Sequence, residues 1–429
     1  MLVKMNRISR RDFLKLSAIS AAGLALDGCG PQIATGRAIK IGFVSPQTGP
    51  LSGFGEADNF ILKKVQDAFA HGLSVGKTMH PLEIKVADSQ SDSKKAAAAA
   101  TDLITKERID LMVVASTPET TIPVANQCEI SGVPCVSTNT PWQPWYFRVP
   151  NVPASGYKWT YHFFWGLEDV IATFLSIWGS LDTNKIVGGL WPNDGDGLAW
   201  SDSELGFPPS LIARGFKVID PGRYENLNGD FSSQITKFKE ARVEIVTGVM
   251  LTPDLVTFLA QASQHGFKPK AVTVAKAALF PSSVEAISGN LGDGLTTEIW
   301  WTPYHPFKSS LTGVSAGDLA KAYQQETGKQ WTQPIGCNYA LFEVATDILS
   351  RTENIEDKAK IVAAIKTTRL NTIFGPVSWS NGPTPNVAKT PLVGGQWGRG
   401  ANFPWELAIT SNLTYKDIPV NGTTRPMPG

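Results

Sequence analysis

The run Ile39–Asp58, IKIGFVSPQTGPLSGFGEAD, decides the fold. Ile39, Ile41, Phe43 and Ser45 alternate with Lys40, Gly42 and Val44, the two-residue period of a strand bounded by turn residues. Gly49, Pro50, Gly53 and Gly55 then keep the backbone bare, and Glu56 opens a helical pattern. In an open α/β sheet the loop after a first strand lies at the carboxyl edge, where ligands bind. The hydroxyls of Thr48 and Ser52 and the free N–H groups suit a small polar head group, and Phe54 is placed to cover an apolar tail.

The same unit recurs downstream. Ala57, Phe60, Ile61, Val65, Ala68 and Phe69 mark the inner face of a helix that Gly72 ends. Leu82, Ile84 and Val86 alternate as a second strand, and residues 96–104 form the next helix. IDLMVVAS (109–116) is almost continuously apolar, as a strand covered on both faces is. Ser116-Thr117-Pro118 opens a helix running to Cys128, and VPCVSTNTP (133–141) is a fourth strand ending in Ser137, Thr138, Asn139 and Thr140. A βαβα series implies a doubly wound parallel sheet. Right-handed crossovers then bring every strand's carboxyl end to one edge, so the ends Thr48/Ser52, Ser116/Thr117 and Thr138/Thr140 converge.

A second series follows. A long aromatic helix is expected over Trp159–Trp178, then the strand KIVGGLW (185–191), a helix from about Leu198 and the strand FKVID (216–220). A helix over Phe231–Arg242, VEIVTGVM (243–250), a helix over Leu255–His265, and the strands AVTV (271–274) and Leu295–Trp301 complete it. Beyond lie helices at Ala316–Thr327, Gly336–Leu349 and Ile355–Lys366. Two similar halves imply two sheets facing each other across a cleft.

Composition agrees. The chain has 429 residues, too many for one core, and 42% apolar residues with 39 Gly and 29 Pro describe a loop-rich α/β globule. A net charge of +1 without a Lys/Arg stripe argues against nucleic acid as a partner. After the first 29 residues no segment reaches the roughly 20 apolar residues a membrane span needs.

Chemistry-bearing motifs fail when tested. Gly313-Val314-Ser315-Ala316-Gly317 fits G-x-S-x-G, but the preceding HPFKSSLT is no buried strand. A calcium loop starting at Asp194 would need Gly and Glu where Ala199 and Leu205 stand. The five His are scattered without a metal-binding spacing. Gly53 and Gly55 are followed by Asp58 where a phosphate-cradling G-x-G-x-x-G needs its third Gly. No cofactor, no metal and no catalytic residue is expected. The 13 Trp stand out, with Trp142, Trp145, Trp191, Trp200, Trp300 and Trp301 at or near strand ends, as in a cleft partly walled by aromatics.

The Ile39–Asp58 run, the ordered strand ends, and the later phrases TIFGPVSW (372–379) and PLVGGQW (391–397) resemble the periplasmic branched-chain amino-acid-binding proteins, the solute receptors of ABC importers. The resemblance covers roughly Ile39–Trp397. It implies a type I periplasmic binding protein: two doubly wound α/β lobes with parallel sheets, joined by a hinge crossed three times, near Ala154, Thr302 and Phe374. Lobe 1 is then 38–154 plus 302–373, and lobe 2 is 155–301 plus 374–429. Carried over, Ser116, Thr117, Thr138, Asn139 and Thr140 would hold a carboxylate, aided by N–H groups at a helix start. Phe54 would line the side-chain pocket, and Asp194, Asp196, Trp200, Leu251 and Thr252 would close from the second lobe. One position departs from the family: an acidic residue that pairs with the ligand ammonium is replaced by Ala275-Lys276. Unless Asp194 or Asp196 substitutes, the resemblance leaves a hydrophobic or aromatic carboxylate beside an amino acid as the ligand class.

Ser9–Lys15, SRRDFLK, resembles a twin-arginine export signal, and the weakly apolar Leu16–Leu26 suits its core. Leu26-Asp27-Gly28-Cys29 resembles a lipoprotein cleavage box, with Asp27 unusual and Cys29 the residue to be lipidated. Residues 1–29 are thus read as signal and 30–37 as linker, placing a monomeric protein in the periplasm or on a lipid anchor, with an inner-membrane ABC permease as partner. Export makes a disulfide between Cys128 and Cys135 permissible, because the short turn brings their Cα atoms near the required range; two buried thiols are the other reading. Cys337 reads as core. Rival functions are a ligand sensor of the same fold docking on a regulator, and a twin-arginine-exported enzyme.

Overall fold

The structure, a computed structural model, describes residues 34–287 and 289–428. The expected signal segment, with Arg10, Arg11 and Cys29, lies outside the described residues.

Strand β1 (Ile39–Ser45) forms where the alternation places it, but it is buried on both faces. Ile39, Ile41 and Phe43 enter the main core, and Val44 enters a second one beneath the opposite face. The reason is its central position between β2 (Leu82–Asp88) and β3 (Leu111–Ala115). Next to β3 runs β4 (Cys135–Thr138), and next to β4 runs β5 (Thr160–Phe163). All these pairs are parallel, with helices α1 (Asp58–Ala68), α2 (Ser93–Asp102) and α3 (Pro118–Ser131) as crossovers.

The aromatic segment from Trp159 is therefore not one helix. Thr160, Tyr161 and Phe163 suit a pleated, buried surface and pair with β4. Helix α4 (Leu167–Gly179) starts only after Gly166, whose N–H donates to the Asp169 carboxylate at 2.9 Å and so fixes the helix start.

The second sheet has eight strands. Along it, β7 (Lys217–Ile219), β6 (Ile186–Pro192), β8 (Ile245–Val249), β9 (Ala271–Ala275) and β10 (Thr296–Ile299) are parallel neighbours, and the short strand Arg223–Tyr224 also pairs with β6. Helices α5 (Gly195–Trp200) and α6 (Thr252–Gln264) follow β6 and β8. The long, almost wholly buried α7 (Pro334–Arg351) then packs back on the first lobe, against α1, β3 and β4.

Two expectations about the lobes change. Val387–Ala388 forms β11 and pairs with β5, completing a six-stranded first sheet, before β12 (Val393–Arg399) and β13 (Trp405–Ser411) join the second. The chain thus passes between sheets at 164–166, 300–302 and 389–392, rather than near Ala154 and Phe374; only the crossing near Thr302 keeps its place. The shift arises because β5 and β11 are too short to announce themselves and find their hydrogen bonds on the edge of the first sheet. The second sheet is also not purely parallel: β12 pairs antiparallel with β10 and with β13, to which a short turn joins it.

Cys128 and Cys135 are free, buried thiols, not the expected disulfide. They pack with Val44, Met112, Val114, Val124 and Val133, and burial pushes the Cys128 thiol well up.

Candidate functional site

The carboxyl ends of both sheets meet at the crossings, and the crossing segments supply aromatic walls. Phe164 and Trp165 belong to the first crossing and Trp300 to the second. Their rings lie 4.7 Å (Phe164–Trp165), 5.2 Å (Phe164–Trp300) and 6.5 Å (Trp165–Trp300) apart. Phe54, on the loop after β1, reaches across to Trp300 at 5.9 Å and Phe280 at 5.1 Å. Next to this floor, Trp301 packs so closely on α7 that a Cβ at Gly336 would lie 2.2 Å from its ring.

Phe54, Phe164, Trp165 and Trp300 line a cavity together with Thr117, Asn139, Asp196, Trp200, Val249, Lys276, Leu279 and Glu298. The space between them is about 20 Å³, room for about one water. A groove of about 600 Å³, lined by Ser52, Leu251, Thr252 and Phe280, shares the Phe54 and Lys276 walls.

The two lobes present their residues in matching ways. Asn139 follows β4 with φ 68°, and Lys276 follows β9 with φ 67°. Left-handed backbone is uncommon for non-glycine residues, and it concentrates at functional sites. Likewise Thr117-Pro118 starts α3 after β3, and Thr252-Pro253 starts α6 after β8.

A buried polar chain fixes Asn139. Ser45 Oγ donates to Asp58 at 2.5 Å, and Asn338 Nδ2 donates to Asp58 at 3.0 Å and to the Phe54 carbonyl at 3.2 Å. Asn338 Oδ1 is left to accept from Asn139 Nδ2 at 2.9 Å. Asn139 accordingly turns its own Oδ1, which has no partner, away from Asn338.

The second lobe contributes charge. Lys276 is almost fully buried, its Nζ 2.8 Å from Asp196 and 3.4 Å from Asp194. Glu119, in the first turn of α3, approaches it across the cleft at 4.0 Å. Burial alone would lower the Lys276 pKa, but the charges of Asp196, Glu119 and Asp194 outweigh it and hold the ammonium well above its ordinary range. Asp194 also caps α5 by accepting from the Gly197 N–H at 2.8 Å. Burial pushes Glu298, which accepts from Thr297 at 2.9 Å, up to about 8.

Of the residues singled out from sequence, Phe54, Thr117, Asn139, Asp196, Trp200 and Lys276 line the cavity. Asp194 stands behind Lys276, while Leu251 and Thr252 line the groove. Thr138 and Thr140 do not offer their hydroxyls to it: Thr138 Oγ1 donates to the Phe163 carbonyl at 2.8 Å and Thr140 Oγ1 to the Ser116 carbonyl at 2.7 Å. Ser116 is buried with its hydroxyl unpartnered, outside the cavity lining. Sequence reasoning missed Glu119, Phe164, Trp165 and Glu298 as site residues. Trp300 was marked only as an aromatic at a strand end, the one signal available for it.

Two α/β lobes that enclose a cavity between their strand ends, linked by three crossings, define a bilobal binding protein of type I topology. The chain belongs to the periplasmic binding protein family, whose sequence profile matches residues 38–401. Among solved structures it is similar to the leucine-binding protein LivK of Thermotoga maritima MSB8, at 20% identity and a TM-score of 0.70 over 88% of this chain and 99% of that one. LivJ of Streptococcus pneumoniae, solved with isoleucine, is 14% identical with a TM-score of 0.67 over 87% and 99%. A solute-binding protein of Rhodopseudomonas palustris BisB5, solved with 3,4-dihydroxybenzoic acid, is 17% identical with a TM-score of 0.65 over 87% and 98%. No curated protein sequence matches the chain.

Proposed function

We propose that this protein is the extracytoplasmic receptor of an ABC importer, exported by the twin-arginine route. It captures a small carboxylate, an amino acid or a related acid, by closing its lobes, and hands it to an inner-membrane permease without chemistry. The observation that carries this reading is the set of unpartnered buried polar atoms on residues lining the interlobe cavity: Thr117 Oγ1, Asn139 Oδ1 and the indole nitrogens of Trp165, Trp200 and Trp300. Native proteins rarely leave buried polar groups unmatched, and each unmet group costs about 1–3 kcal/mol. A solute oxygen would satisfy several of them at once. The three short crossings supply the hinge that admits it. Among the described residues no helix is long and apolar enough to cross a membrane.

A thermal-shift screen against amino acids, aliphatic and aromatic carboxylates and amides tests the reading. A ligand at 100 times its Kd adds about 2.7 kcal/mol of stability. A screen in which amides alone shift the transition, or nothing does, refutes the carboxylate assignment.

A further inference from the structure

The polar groups of the cavity divide sharply by what they can still accept or donate. Lys276 Nζ has Asp196, Asp194 and Glu119 at 2.8, 3.4 and 4.0 Å. An ammonium carries three N–H donors and no acceptor; two of them go to Asp196 and Asp194, and Glu119 pairs with it by charge alone, without a hydrogen bond. Its strained left-handed backbone holds this cation in the cleft.

What remains free on the lining mostly donates. Trp165, Trp200 and Trp300 each keep an unpartnered indole N–H, a group that only donates, and the Thr117 hydroxyl is free beside them. The unpartnered acceptors on the described lining are Asn139 Oδ1 and the Thr117 hydroxyl oxygen; Glu119, off the lining, has two unpartnered carboxylate oxygens whose charge faces Lys276. Phe54, Phe164, Val249 and Leu279 make the rest of the wall largely apolar.

A solute ammonium entering this cavity would find Asp196 already engaged by Lys276. Glu298, the other acid on the lining, is held protonated around neutrality by its burial, at about 8. One amide oxygen and one hydroxyl are a poor exchange for the hydration of an ion, whose loss costs several kcal/mol. A carboxylate, in contrast, meets up to four free donors.

Resting on the receptor function proposed above, we infer that the solute is a carboxylate with an apolar body and no ammonium, and that Lys276 sets this specificity by occupying the nest of Asp194, Asp196 and Glu119 itself.

Calorimetric titration of the exported protein with two matched pairs tests this: leucine against 4-methylpentanoate, and phenylalanine against 3-phenylpropanoate. In each pair that binds, the acid lacking the ammonium is expected to bind at least about tenfold more tightly than its amino-acid partner. Lys276→Met frees the acid nest and is expected to shrink or invert that ratio, whereas Lys276→Arg, which keeps the charge, is expected to preserve it. An amino acid that binds the wild type as tightly as its deaminated partner overturns the inference while leaving the receptor function standing. Binding by none of the four overturns the carboxylate assignment, and this inference with it. Should Lys276→Met fail to fold, the wild-type ratios alone decide.

Discussion

Replacing Asn338 by Ala should loosen the site without touching the cavity wall directly. Besides a weak contact from the Cys337 thiol, the side chain makes three buried hydrogen bonds: to Asp58 at 3.0 Å, to the Phe54 carbonyl at 3.2 Å, and from Asn139 at 2.9 Å. Bonds between neutral groups are worth about 0.5–1.5 kcal/mol each, and one to a charged group about 1.5–3. Burial pushes Asp58 up to about 7, so near neutrality its bond falls between these classes. Taken together the loss comes to about 3–4 kcal/mol. It bears on function because Asn338 holds the Phe54 loop and the left-handed Asn139 in place from α7. Equilibrium urea unfolding gives the stability change, and calorimetry with the best ligand of the screen gives the affinity. A variant within about 0.5 kcal/mol of wild type, with unchanged affinity, would refute the idea that this chain of amides positions the site.

Other outcomes follow from single groups. Thr117→Val removes a free hydroxyl from the cavity and should weaken carboxylate binding by roughly tenfold, read by calorimetry, with little loss of stability because that hydroxyl has no partner within the protein. Glu298 has a folded pKa raised from 4.5 to about 8. Its stabilising contribution is fully present below pH 4.5 and is lost as pH rises through about 8. Glu298→Gln, which stays neutral, should therefore flatten the fall in urea stability over that window; an unaltered pH profile would contradict it. Replacing Arg10 and Arg11 by Lys should leave the protein in the cytoplasm, and unchanged periplasmic protein on fractionation would remove the export assignment.

Much of the first lobe was legible because β1, β3 and β4 are apolar and bounded by turn residues, with Thr117 and Asn139 falling at their ends. The short strands were not. Thr160–Phe163 sits inside an aromatic run that also fits a helix, and Val387–Ala388 is two residues whose pairing is decided wholly by the edge of a distant sheet. Hydroxyl counting misled for a related reason: Thr138 and Thr140 turn to carbonyls of neighbouring segments, a choice that no spacing along the chain reveals. Glu119 and Glu298 belong to the site through contacts between lobes or through burial. Lys276, by contrast, was visible as a cation where the family resemblance calls for an acid, and the structure adds the three carboxylates that surround it.

Hinge closure around a solute is the central claim, and small-angle X-ray scattering measures it most directly. The exported protein, titrated with the carboxylate that gives the largest thermal shift, should lose radius of gyration in a saturable way, complete at about one equivalent per chain. Saturable binding with an unchanged radius throughout the titration would contradict the account.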